Sequence, residues 1–205
     1  QIDCWLIHVS TDYVFDGKSS EPYKEDYQTN PQGVYGATKL KGEMAIKTSA
    51  CNHIIIRTAW VFSEYGNNFL KTMLSLGLDR EELSIIGDQI GCPTYCQDIA
   101  TSIVAILPQL NAHKELTGIY HYCGDEPCSW YDFANAIFEK AKIVNFKTPR
   151  FIYSIESSQY PTLAVRPLYS VLNCDNIKNT FGVSSSNWRL GIKTVLSKLQ
   201  CLEFF

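Results

Sequence analysis

Tyr35 and Lys39 stand four residues apart in the run Val34-Tyr35-Gly36-Ala37-Thr38-Lys39, so on a helix both side chains leave one face at neighbouring heights. A lysine cation beside a phenol favours the phenolate and draws a tyrosine pKa down from its reference of ~10. A tyrosine tuned in this way passes a proton to an alkoxide as the alkoxide forms. A shift of about three units corresponds to roughly 4 kcal/mol of differential stabilisation, within reach of a close cation in a protected pocket. The spacing alone is a weak signal, since a chain with 12 tyrosines meets it about once by chance.

Such a pair needs a helix held beside a ligand crevice. Trp5 to Ser10 reads as an apolar strand, Asp16 to Pro31 as a polar loop and Gln32 to Ala50 as a helix. His53 to Phe62 is almost continuously apolar, as expected of a parallel strand covered on both faces. Strand, helix, strand is a crossover unit and predicts α/β architecture. The octet Ser10-Thr11-Asp12-Tyr13-Val14-Phe15-Asp16-Gly17 follows the first strand, at the sheet edge where α/β folds place their ligands. Hydroxyls there can donate to a substrate carbonyl.

Further along, helices are expected from Asn68 to about Leu78, from Asp98 to Leu107, over Asp175–Phe181 and over Trp188–Leu199. Strands are expected at Leu83–Ile86, Gly118–Tyr122 and Arg150–Ile155. Asp98 is expected to cap the helix that follows it, and Ser129 with Asp132 resembles a capping box opening a helix that runs to about Lys142. Gly87 to Pro93 reads as a loop.

The order strand, Ser/Thr, loop, Tyr-x-x-x-Lys helix resembles the extended short-chain dehydrogenase/reductase family. The resemblance also takes in Arg57-Thr58-Ala59-Trp60-Val61-Phe62, Gly66-Asn67-Asn68-Phe69, Asp88-Gln89-Ile90-Gly91-Cys92-Pro93-Thr94, Arg166-Pro167 and Leu172-Asn173. It implies an incomplete doubly wound, Rossmann-like parallel sheet (residues 1–62) and a smaller nucleotide-sugar-binding α/β lobe (63–205), with 95–125 packing back on the sheet. The implied reaction is NADPH- or NADH-dependent reduction of a ketone, the 4-keto group of dTDP-4-dehydro-L-rhamnose, in the cytoplasm.

By the same resemblance Tyr35 is the proton donor, Lys39 holds the cofactor ribose and tunes Tyr35, Thr11 polarises the sugar ketone, and Ser10 joins the cofactor contacts. Thr11, Asp12, Tyr13 and Trp60 fall where the family meets the nucleotide sugar. Asn68 at a helix start and Arg166 suit the pyrophosphate, because helix N-termini and guanidinium groups suit phosphate oxygens. The alternatives are a non-catalytic relative serving as a regulatory binding subunit and a reductase or epimerase of another nucleotide sugar.

Composition narrows the field. A net charge of -3 over 205 residues gives no footprint for nucleic acid, and the apolar runs are too short for a membrane span. Eight cysteines, most of them in strand-like or helix-like segments of a chain this long, are expected to be reduced thiols, and neither they nor the four histidines show metal-ligand spacing. The glycine-rich turn with which the family holds the cofactor pyrophosphate is missing from the 205 residues. The turn is therefore expected upstream of Gln1, the chain alone is expected to be inactive, and uncovered sheet edges favour a homodimer.

Overall fold

The computed structural model describes residues 4–110, 113–160 and 166–201. The chain is α/β, and its largest sheet has three parallel strands: β1 (Trp5–Thr11), β2 (Asn52–Thr58) and, beyond β2, a strand at Gly118–His121. Register pairs Thr11 with Thr58 at the carboxyl ends of β1 and β2. The central strand is buried along nearly its whole length, which explains its unbroken Ile54-Ile55-Ile56 run. β1 lies at one edge of the three-strand sheet and keeps Leu6 and Val9 partly exposed.

The crossover between β1 and β2 carries a short 3-10 turn, Asp12–Val14, and α1 (Val34–Thr48). Gly36 lets α1 seat on that turn, since a Cβ there would lie 2.1 Å from the carbonyl oxygen of Tyr13. On its inner face α1 carries Glu43, which forms a buried ion pair of 2.7 Å with Arg57 of β2 and accepts the Ser10 hydroxyl from β1. One carboxylate thus ties together all three elements of the crossover.

The apolar run 53–62 is not the single strand that its composition suggests. β2 stops at Thr58, Trp60 turns the chain with a left-handed φ of 47°, and β3 (Val61–Phe62) pairs instead with β6 (Thr94–Tyr95). The Thr94 hydroxyl donates to the Ala59 carbonyl at 2.6 Å and fixes the turn. Apolarity reports burial, which continues through the turn, and cannot report the change of sheet.

Among the described residues the remaining α-helices and strands are α2 (Phe69–Asp79), β4 (Glu82–Ile86), β5 (Ile90–Gly91), α3 (Cys96–Leu110), β7 (Gly118–His121), β8 (Cys128–Ser129), α4 (Trp130–Ile143), β9 (Phe151–Ile155), α5 (Asp175–Phe181) and α6 (Trp188–Cys201). Ser129 and Asp132 form a complete capping box on α4. Asp98 does not cap α3; the helix begins at Cys96, and Asp98 in its first turn accepts the Ser186 hydroxyl at 2.6 Å.

Among the described residues three apolar clusters hold the fold together. One packs α2, α4 and α6 around Phe133, Phe138 and Trp188. Another seats α3 and α5 on Ile54 and Ile56 of β2. The third, including Val14, Phe15, Tyr23, Cys92 and Cys123, lies beneath the carboxyl ends of the sheet. All eight cysteines are free, with Cys123 Sγ and Cys174 Sγ 3.5 Å apart. Among the described residues no helix is long and apolar enough to cross a membrane.

Candidate active site

A cavity of about 270 Å³ opens where β1 and β2 end, lined by Ser10, Thr11, Asp12, Tyr13, Tyr35, Thr58, Trp60, Val61, Trp130 and Arg166. Residues separated by more than 150 positions meet there because the carboxyl ends of parallel strands, the start of α1 and the loop carrying Arg166 converge on one point. Larger depressions occur elsewhere, one of about 440 Å³ between α3 and α6 and one of about 660 Å³ beside Asp88 and Glu156. Neither contains Tyr35 or the strand-end hydroxyls, and Lys39 lies outside the lining of all three.

Tyr35 projects from the first turn of α1, 58% exposed, with its ring edge-to-face against Tyr13 at 5.9 Å. The exposure leaves its hydroxyl free to meet a ligand. Lys39, one helical turn on, donates from Nζ to the Val9 carbonyl at 2.6 Å. That bond anchors the ammonium to the edge of β1 on the Tyr35 side of the helix. Burial and the Asp12 charge push the Tyr13 phenol up while Arg166 pulls it down, which leaves Tyr13 a neutral hydroxyl.

Thr11 is buried, donates to Asp12 Oδ1 at 2.9 Å and accepts the Tyr13 backbone N–H at 3.2 Å. Asp12 is only 4% exposed. Burial raises its carboxyl to about 6, against hydrogen bonds from Ser170, Thr11 and backbone that favour the charged form. Its Oδ2 and the Thr58 hydroxyl are buried without a hydrogen-bond partner of good geometry. Thr58 gives no separate signal in the sequence; it belongs to the site because register sets it beside Thr11.

Trp60 forms a wall of the cavity, but not alone. Its indole stacks on Trp130 with centroids 3.5 Å apart and planes 5° from parallel. Gly91 lies directly beneath, where a Cβ would come within 2.4 Å of the Trp60 ring. The segment Gly87–Thr94 therefore supports the wall from behind. Trp130, the first residue of α4, is legible in sequence only as a helix-start aromatic.

Two expected contacts are placed differently. Ser10 reaches the rim with its backbone, but its hydroxyl is turned to Glu43. Asn68 does not line the cavity; it caps α2, accepting the Lys71 N–H at 3.2 Å and donating to the Ser63 carbonyl at 2.8 Å. Arg166 does line it and is exposed. Among the described residues no group of three or more His, Cys, Asp or Glu side chains is arranged to hold a metal ion.

Comparison with known proteins gives the family and the fold. The family described as RmlD substrate binding domain matches residues 1–201. The chain is 45% identical over 193 residues to a dTDP-4-dehydrorhamnose reductase of Aggregatibacter actinomycetemcomitans, covering 93% of this chain and 65% of that protein. A crystal structure of a dTDP-4-dehydrorhamnose reductase from Clostridium acetobutylicum superposes with a TM-score of 0.85 at 36% identity, covering 95% of this chain and 65% of that one. The same enzyme from Bacillus anthracis, in complex with NADP, gives 0.84 at 35% identity over 94% of this chain and 65% of that one. The chain thus spans just under two thirds of the length of these relatives.

Proposed function

This chain belongs to the RmlD substrate binding domain family, and on that premise we propose that it forms the sugar-binding and proton-donating part of a dTDP-4-dehydrorhamnose reductase. The reaction is reduction of the 4-keto group of dTDP-4-dehydro-L-rhamnose to the alcohol of dTDP-L-rhamnose, in the cytoplasm, with NADPH or NADH. The observation that carries this reading is the convergence of Thr11, Tyr35, Trp60 and Arg166 on one cavity at the carboxyl ends of β1 and β2.

A reduced nicotinamide, when bound, supplies the hydride that attacks the ketone carbon. The chain fits the nicotinamide-ribose end of such a cofactor: the Tyr35 hydroxyl is exposed, and Lys39 is anchored beside it on the edge of β1. As charge grows on the ketone oxygen, Tyr35 delivers a proton to it and Thr11 a hydrogen bond. Lys39 directs its remaining donors at the ribose hydroxyls. The Trp60–Trp130 stack presents a flat apolar face to the sugar, and Arg166 meets the diphosphate.

The test has two parts. Titration of the chain with dTDP-L-rhamnose and with UDP-glucose should show binding of the first and little of the second. In the protein that carries this chain, supplied with NADPH, Tyr35→Phe should lower kcat by about 10²–10⁴-fold with a small change in KM. Equal affinity for the two nucleotide sugars, or an unchanged kcat in Y35F, would overturn the assignment.

A further inference from the structure

The Thr11 hydroxyl has one proton and two lone pairs. That proton is already committed to Asp12 Oδ1 at 2.9 Å, and one lone pair takes the Tyr13 N–H. A ketone oxygen accepts and cannot donate, and so does an ionised carboxylate. Two acceptors therefore compete for a single proton. If Thr11 turned to the ketone, a carboxylate only 4% exposed, whose Oδ2 lacks a partner of good geometry, would lose its Thr11 bond and keep only Ser170 and backbone donors. Removing a donor from a buried charge is unfavourable.

We propose that Asp12 is a positioning residue that binds the ketone in its protonated form: its carboxyl proton goes to Thr11 Oγ1, and the Thr11 proton is released to the substrate oxygen. With Asp12 O–H and Tyr13 N–H both donating to it, Thr11 Oγ1 has no free lone pair and its own proton can only point outward. The proton on Asp12 comes from solvent as the ligand enters, and nothing is oxidised or reduced. This inference rests on the reading of the cavity as a carbonyl site.

The surroundings favour the neutral acid. Burial already raises Asp12 to about 6, and a ligand that seals the cavity removes still more water. The titratable and charged groups sharing the cavity are Tyr13 of the same turn, Tyr35 of α1 and Arg166. The ion pairs of the described residues include none between Arg166 and Asp12, and Ser170 and the lining residues Thr58, Trp60 and Trp130 are uncharged.

Calorimetry of dTDP-4-dehydro-L-rhamnose binding without reduced nicotinamide, in buffers of different ionisation enthalpy, tests this. From a starting value near 6, about 0.9 proton should be taken up at pH 7, and Kd should be about 50-fold weaker at pH 8 than at pH 6. dTDP-L-rhamnose, whose alcohol can donate as well as accept, should take up less. In Asp12→Asn the amide donates permanently to Thr11, so uptake vanishes and Kd becomes independent of pH. Thr11→Val, which has no hydroxyl to orient, should also abolish uptake and serves if D12N fails to fold. Ketone binding without proton uptake, or uptake that persists in D12N, overturns the inference alone. Absence of ketone binding at every pH overturns the carbonyl-site reading and the inference with it.

Discussion

His121, behind the cavity, shows how much of this site depends on single protons. It is fully buried, its Nδ1 lies 3.1 Å from the Tyr23 carbonyl, to which it donates, and its Nε2 faces Arg57 Nη1 at 3.5 Å. Burial, and then the Arg57 charge, push it down to about 3. The fold therefore holds it neutral, while the unfolded chain takes up a proton near pH 6.5. Its contribution is complete above pH 6.5 and is lost as pH falls toward 3, on the order of 2–3 kcal/mol between pH 7 and 4.5. Asp12 works in the opposite direction: its carboxyl is raised, so the cost of its burial is greatest above pH 6 and is relieved as pH falls toward 4. The two slopes oppose each other, so the His121 effect is read best in a D12N background. Urea unfolding at both pH values should show that adding His121→Gln removes most of the acid loss; equal losses in D12N and in D12N/H121Q would refute the neutral-histidine account. None of this was legible in the sequence. His121 stands there as one histidine of four with no ligand spacing, and its protonation is decided by burial and by an arginine 64 positions away.

At the scale of elements, sequence patterns located most helices and strands, because periodicity and capping are local. Ser129 and Asp132 announced α4 three residues apart, and the Ile54–Ile56 run announced a covered strand. The break at Trp60 is silent in the sequence because a tryptophan at positive φ has no compositional signature; it persists through contacts with Trp130 and Gly91 that lie 70 and 31 positions away. Gly91→Ala should push the Trp60 ring off its seat. The expected result is a changed near-ultraviolet circular dichroism from the disturbed indole stack and a loss of about tenfold or more in dTDP-L-rhamnose affinity. An unaltered spectrum and affinity would show that Gly91 does not hold the wall. The Tyr-Lys helix illustrates the same division: its spacing is local, whereas the need for Gly36 comes from the Tyr13 carbonyl packed against it.

Across the whole molecule, the cavity is assembled from the sheet end, the turn after β2, the start of α4 and the Arg166 segment. A ligand that touches all of them should stabilise the chain as one unit. At a concentration about 100 times Kd, dTDP-L-rhamnose should add about 2.7 kcal/mol and raise Tm by roughly 5–10 °C, with UDP-glucose giving little shift. Arg166→Ala should shrink that shift while leaving the unliganded Tm unchanged, since Arg166 is exposed; an undiminished shift would remove Arg166 from the binding surface.

By itself the sequence determined the α/β class, the Tyr35–Lys39 pair on one helix face and the strand-end hydroxyl at Thr11, since each follows from short-range spacing or local chemistry. Only the tertiary structure decided that Thr58 and Trp130 belong to the site, that Ser10 and Asn68 spend their side chains on Glu43 and on capping α2, and that Asp12 sits behind Thr11 with its charge buried. Those outcomes depend on strand register and on what covers each group from far along the chain, and neither is encoded in the spacing of neighbouring residues.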